Sequence, residues 1–131
     1  MSAKELTDLS MLELSEQLAA RSASSEEATG ACLQLIEQLD PRVKAFLSVD
    51  AKGALAAARA SDERRRSGTA SSRLDGVPIA LKDIFVTEGL ETTCGSNILK
   101  GFVPPFDAAV VKLLETGRSP RLRRGRRSAA P

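Results

Sequence analysis

The chain has 131 residues, of which 42% are apolar and 27% charged, with a formal net charge of +2. This is the composition of one globular domain with a core of modest size. Histidine and tyrosine are both absent, which excludes Ser-His-Asp and Cys-His mechanisms, argues against a zinc site and leaves lysine or a carboxylate as the candidate catalytic base.

Two helices are predicted in the first forty residues, over about 10–21 and about 25–39. Ser10 and Ser24 each open one of them, because each serine is followed three residues later by glutamate in the pattern of a capping box. Apolar residues then recur at helical spacing. We expect the second helix to end before Pro41, because proline disfavours helix at the residue that precedes it.

A strand, a helix and a second strand are predicted next. Residues 43–49 form a short run with branched and aromatic side chains, which is typical of a strand. Residues 51–66 are rich in alanine and charge and favour a helix. The apolar run at 77–81 has helix-breaking flanks, so we interpret it as a buried strand that delivers Lys82 at its end.

After a loop over 87–96, Asp107 is expected to cap a last helix over 108–115. The composition then changes abruptly at Arg118. Residues 1–117 carry 17 acidic residues against 13 Lys and Arg, a net charge of −4, whereas residues 118–131 carry six arginines and no acid. The tail cannot bury enough apolar surface to offset its ordering cost, so we predict that 118–131 is disordered.

Lys82 carries the strongest chemical signal in the sequence. Desolvation at the end of an apolar strand lowers the pKa of a lysine, and the resulting neutral amine is a general base. A hydrated lysine, with a pKa of about 10.4, is a poor base at pH 7. The alternative is that Lys82 lies at the surface and pairs with a carboxylate, as most lysines do. The residues alone leave both interpretations open.

The chain from about residue 8 to 117 resembles the amidase-signature family. The matching stretches are Gly-Val-Pro-Ile-Ala-Leu-Lys-Asp at 76–83, Thr-Thr-Cys-Gly-Ser at 92–96 and Phe-Val-Pro-Pro-Phe-Asp-Ala at 102–108. The last stretch points, within the family, to the glutamine-hydrolysing subunits of tRNA-dependent amidotransferases. The resemblance implies an α/β fold with a mixed sheet between helices, to which residues 1–117 contribute the helical N-terminal part.

The resemblance also implies a Ser–cis-Ser–Lys triad with Lys82 as its base. One serine relays a proton to the lysine, a second serine attacks the amide of glutamine, and backbone N–H groups stabilise the oxyanion. By the same resemblance Asp83 orients the local backbone and Ser96 makes hydrogen bonds within its loop. A plain surface turn is the alternative for Asp83.

The implied assembly is a heterotrimer with subunits B and C. A partner subunit uses ATP and Mg²⁺ to activate glutamate on tRNA, so that Glu-tRNA(Gln) becomes Gln-tRNA(Gln), or aspartyl-tRNA(Asn) is converted likewise. No metal or cofactor is expected on this chain, because Cys32 and Cys94 are far apart and outside any CxxC pattern. With no apolar run near the roughly 18 residues of a membrane helix and no signal peptide, the expected location is the cytoplasm.

The chain departs from the family at its end. It has no Gly-Gly-Ser-Ser segment, and both family serines lie beyond the last predicted helix, so we expect this chain to be inactive alone. A frameshift in a GC-rich gene would produce the arginine-rich tail. Three alternatives remain open: another amidase-signature hydrolase acting on a small amide, a non-catalytic fragment bound to a partner subunit, and a tail that binds nucleic acid through its arginines.

Overall fold

The structure, a computed structural model, describes residues 1–117 and 120–125. For residues 121–125 it describes the backbone only. Helices dominate the described part of the chain, which contains five α-helices and two short strands. Its elements, in chain order, are helices α1 (Ala3–Asp8), α2 (Met11–Ala20), α3 (Ser25–Val43) and α4 (Ala51–Arg66), strand β1 (Ile79–Lys82), a 3-10 turn (Asn97–Leu99), helix α5 (Ala109–Thr116) and strand β2 (Arg121–Gly125).

Capping boxes begin the first three helices. At Ser2, Ser10 and Ser24 the serine oxygen accepts a hydrogen bond from the backbone N–H of a glutamate three residues on, and that glutamate accepts one from the serine N–H. Each cap is worth about 1 kcal/mol. The predictions of α2 and α3 are confirmed at their starts, whereas α1 was missed although Ser2 begins the same pattern.

Helix α3 runs one turn further than predicted, through Pro41. It ends at Val43, and the next residue, Lys44, has a left-handed backbone (φ 52°) and donates its N–H to the carbonyl of Asp40 at 2.7 Å. The Asp40 carboxylate accepts two more backbone N–H groups, at 2.6 and 3.0 Å, from the residues that follow. These bonds stabilise the extra turn despite the proline. The predicted strand over 43–49 is therefore wrong, and only an isolated bridge forms, at Phe46.

The core lies where the N-terminal helices meet the residues before β1. Its buried members are Leu6, Leu14, Leu18, Ala23, Ala28, Ala31 and Val77. Helix α4, predicted with the bounds it has, packs on α3 through small buried residues, Ala54, Ala58 and Ser61. Small side chains bring the two helices close together and hold the start of the β1 segment beneath them.

Strand β1 pairs in parallel with β2, from Ile79 opposite Arg121 to Lys82 opposite Gly125. This corrects the prediction of a disordered tail for 121–125. The backbone groups of β1 need hydrogen-bond partners, and a parallel strand supplies them whatever its side chains are. The rest of the predicted tail, 118–119 and 126–131, lies outside the described residues.

Helix α5 forms one residue later than predicted, and its expected cap is wrong. Asp107 is not the cap, because its carboxylate accepts a hydrogen bond from the backbone N–H of Glu88 at 2.8 Å. Ala108 occupies the capping position and makes no side-chain cap. Asp107 therefore ties the start of α5 to the loop that follows β1.

Candidate active site around Lys82

Lys82 is the last residue of β1, as predicted, but its side chain is exposed. Side chains alternate along a strand, so the neighbouring Leu81 is buried while Lys82 points the other way. The predicted desolvation of the amine is therefore wrong for the chain as the structure describes it. The described residues do fix the backbone from which the Lys82 side chain extends, because Lys82 is part of β1.

Asp83 closes the loop that follows Lys82. Its carboxylate is buried, and it accepts hydrogen bonds from the backbone N–H of Thr93 at 3.2 Å and from the Thr93 hydroxyl at 2.5 Å. Its carbonyl accepts from the N–H of Cys94 at 3.2 Å. These bonds join the residue after β1 to Thr93 and Cys94, so the backbone on the C-terminal side of Lys82 is held in place.

The turn at 93–96 takes its shape from two successive left-handed residues, Cys94 (φ 51°) and Gly95 (φ 73°). The reversal lets the Ser96 N–H donate to the carbonyl of Thr93 at 2.8 Å. The Ser96 hydroxyl accepts from the N–H of Ile98 at 3.2 Å and so begins the 3-10 turn. Ser96 thus lies in the loop beside Lys82 and uses its oxygen on the backbone.

A second segment lines this loop. The N–H groups of Gly89 and Thr92 donate to the carbonyls of Pro104 and Phe102, at 3.2 and 2.9 Å, and the N–H of Ala108 donates to Val86 at 2.8 Å. The bonds run in antiparallel order along the two segments. They hold 102–108 against the loop that begins at Lys82, an arrangement that the sequence did not predict.

Asp75 anchors the entry to β1, a role that the sequence did not predict. It is fully buried, and it accepts from the Ser61 hydroxyl at 2.7 Å and from two Arg64 nitrogens at 2.6 and 2.9 Å. Burial by itself would raise the pKa of Asp75, but the hydrogen bonds from Arg64 and Ser61 outweigh it and hold that pKa below its usual range. The three arginines that end α4 are the feature of the sequence that could have indicated a partner carboxylate such as Asp75.

Gly76 is required beside this carboxylate. Its φ of +92° is a left-handed value, and a Cβ there would lie 2.5 Å from the Ser61 hydroxyl. Its carbonyl accepts a hydrogen bond from the Ser25 hydroxyl at 2.6 Å. Gly76 therefore lets the chain pass close under α3 and α4 before it extends into β1.

The described residues hold no group of three His, Cys, Asp or Glu side chains that could bind a metal ion. Cys32 and Cys94 are free thiols. Two surface grooves, of about 390 and 690 Å³, lie among α2, α3 and α4 and are not lined by Lys82. No helix in the described part of the chain is both long and apolar enough to cross a membrane.

Comparison with known proteins shows which family this chain matches. The amidase family model matches residues 27–117. The A subunit of the glutamyl-tRNA(Gln) amidotransferase of Myxococcus xanthus (strain DK1622) is 66% identical over 116 residues, which are 88% of this chain and 24% of that protein. Its namesake in Geobacter sulfurreducens is 54% identical over 114 residues, 86% of this chain and 23% of its own length. The chain thus spans about a quarter of the curated relatives it matches.

Solved structures give the same result for the fold. The native peptide amidase from Stenotrophomonas maltophilia superposes with a TM-score of 0.81 at 31% identity, over 90% of this chain and 24% of that one. An amidase family protein from Bacillus anthracis str. Ames superposes with a TM-score of 0.81 at 27% identity, over 94% of this chain and 25% of its own.

Proposed function

We propose a function for this chain from one premise, that it belongs to the amidase family, whose model matches most of its length. The proposed function is that of the N-terminal part of an amidotransferase component, the A subunit, which hydrolyses glutamine and supplies ammonia for the conversion of Glu-tRNA(Gln) to Gln-tRNA(Gln). The observation that carries it is the 66% identity to a protein of that name, over nearly the whole of this chain.

In this proposal Lys82 is the general base of a Ser–cis-Ser–Lys triad. The nucleophilic serine attacks the amide carbon of glutamine, and its proton passes through the second serine to the Lys82 amine. The proton then returns to the departing nitrogen as the C–N bond breaks, and water hydrolyses the acyl-enzyme to glutamate. Both serines would come from a part of the domain beyond residue 117, and the exposed position of Lys82 leaves its amine open to them.

Asp83 and Ser96 have supporting roles in the proposed mechanism. The buried Asp83 carboxylate fixes the loop through Thr93, and Ser96 shapes the turn rather than attacking the substrate. Neither touches glutamine in this proposal. Their contribution is to keep the Lys82 backbone from shifting, because small misplacements of a base cost much of its effect.

The assembly we propose is a heterotrimer with subunits B and C, through which the ammonia reaches charged tRNA. ATP and Mg²⁺ would act on the partner subunit and not on this chain. The 131-residue chain by itself is proposed to be inactive, because a base without its hydroxyl partners has no proton to accept. The relatives that bear the name of a subunit support this assembly.

A chimera tests the proposal. Residues 1–117 of this chain would replace the matching part of the Myxococcus xanthus relative, expressed with its partner subunits, and ammonia release from glutamine would be measured. We expect activity in the chimera and a loss of about 10³-fold in Lys82→Ala, within the range for removal of a general base. Lys52→Ala, at an exposed position that begins α4, is the matched control and should keep full activity.

Equal activity in the Lys82→Ala and Lys52→Ala chimeras would contradict the role of Lys82. A second candidate is hydrolysis of another amide, which the likeness to a peptide amidase favours. The same chimera distinguishes the two if small amides and C-terminal peptide amides are offered beside glutamine. Preference for either over glutamine would move the assignment to that substrate.

A further inference from the structure

Large apolar side chains lie exposed along residues 98–113, here called the apolar segment. Their exposed fractions are 93% for Ile98, 43% for Phe102, 53% for Val103, 53% for Phe106, 38% for Val110 and 72% for Leu113. Within α5 only Val111 is buried. Side chains of this kind scattered singly are ordinary on a protein surface, but six within sixteen residues are typical of a surface that another body covers.

The apolar segment is joined to the loop that begins at Lys82. The carbonyl of Phe102 accepts a hydrogen bond from Thr92, and the next residue, Thr93, donates to the buried carboxylate of Asp83. A body that packs on the apolar segment would therefore lie against the loop that follows the proposed base.

The lengths of the solved relatives indicate what that body is. The Stenotrophomonas maltophilia peptide amidase has the backbone arrangement of this chain, yet the matched part makes up 24% of it, so about three quarters of that chain lies outside the shared part. The match extends over 90% of the present chain, and the apolar segment occurs in it without a covering body among the described residues.

We propose that the apolar segment is the docking surface for the remainder of an amidase domain, meaning the part that follows the region matched here. We further propose that this chain binds that remainder when it is supplied as a separate polypeptide. The occupant presents an apolar face to 98–113. The further claim that the occupant brings hydroxyl groups to Lys82 rests on the proposed function. The docking itself rests on the exposed side chains and on the lengths of the solved relatives.

The test is co-expression of the full 131-residue chain with the affinity-tagged remainder of the Myxococcus xanthus relative. We expect the chain to co-elute with the tagged remainder in a 1:1 complex on size exclusion. Phe106→Glu and Leu113→Glu, each at an exposed site, should each lower the amount retained at least tenfold. Leu12→Glu is the matched control, because Leu12 is similarly exposed (56%) but lies on α2, and it should leave retention within twofold of the unaltered chain.

Circular dichroism of the free variants would show that each keeps its helices. Three outcomes would overturn the proposal: no retention of the chain, including a remainder that stays insoluble beside it; retention that neither Phe106→Glu nor Leu113→Glu lowers; or a homodimer of the chain alone that these substitutions dissolve. The last outcome would assign the surface to a second copy. Glutamine hydrolysis by the complex would be assayed separately, so that a complex without ammonia release would contradict the proposed function and leave the docking intact.

Discussion

At the scale of single residues, Asp75 does more for the site than its position in a turn suggests. Its carboxylate joins α4 to the chain entering β1 through Ser61 and Arg64. The main-chain carbonyl of Asp75 accepts two further bonds from Arg65, at 2.6 and 2.9 Å. This anchor lies seven residues before Lys82 and fixes the start of the segment that leads into β1, although Asp75 itself has no part in the proposed chemistry.

We therefore expect Asp75→Asn to lower the free energy of unfolding by about 3 kcal/mol, because it leaves the charge of Arg64 without its partner in a largely buried place. Urea denaturation followed by circular dichroism measures the change. The control is Glu26→Gln, which removes the exposed ion pair to Arg59 and should cost less than about 1 kcal/mol. Equal losses in the two variants would show that the Asp75 network contributes no more than a surface pair.

At the scale of elements, the pairing of β1 with β2 depends on backbone groups rather than on side chains. Ala80 lies opposite Arg123 in the parallel register. The arginine-rich sequence of β2 does not favour a strand by itself. Its hydrogen-bond partner is β1, some forty residues earlier in the chain.

Arg123→Pro should open this pairing, because proline cannot donate to a ladder, whereas Arg123→Ala keeps the backbone N–H and should preserve it. Amide hydrogen exchange at Ile79 and Leu81 is the measurement, because the N–H of Ile79 donates to the carbonyl of Pro120 and Leu81, two residues on, faces the same neighbour. We expect exchange at least tenfold faster in the proline variant and unchanged, within about twofold, in the alanine variant. Similar rates in both would mean that β2 does not stabilise β1.

The same contrast explains what could be predicted from sequence. The starts of α2, α3 and α4 depend on bonds between residues three or four apart, so local patterns indicate them. Two other features depend on contacts formed only in the fold. One is the set of hydrogen bonds to Asp40 that extends α3 past Pro41, and the other is the hydrogen bond that Asp107 accepts from Glu88. In the candidate site, the placement of Lys82 at a strand end followed from the apolar run before it. Its exposure and the Asp75 anchor did not, because both depend on what packs nearby.

At the scale of the whole molecule, the shifted carboxylates act in one direction. The pKa values of Glu5, Glu13 and Glu27 are lowered by hydrogen bonds within the capping boxes, and the pKa of Asp75 is lowered by Arg64 and Ser61 against the effect of burial. A carboxylate whose pKa is lower folded than unfolded binds fewer protons in the native state. Its contribution to stability is therefore present above its unfolded pKa of about 4 and is lost as the pH falls through the folded value.

The molecule should consequently lose stability on acidification below about pH 4, and Asp75→Asn should flatten that decline. The midpoint of urea unfolding, measured between pH 7 and pH 3 in both proteins, gives the comparison. The difference between them should shrink as Asp75 becomes protonated, because the unaltered chain then loses the charge that the variant never had. The Cys32 thiol affects stability at alkaline pH instead, because burial raises its pKa. Its contribution to the free energy of unfolding is lost as the pH rises through the folded pKa. A difference between the two proteins that stays constant down to pH 3 would show that the Asp75 charge does not contribute to the stability of the fold.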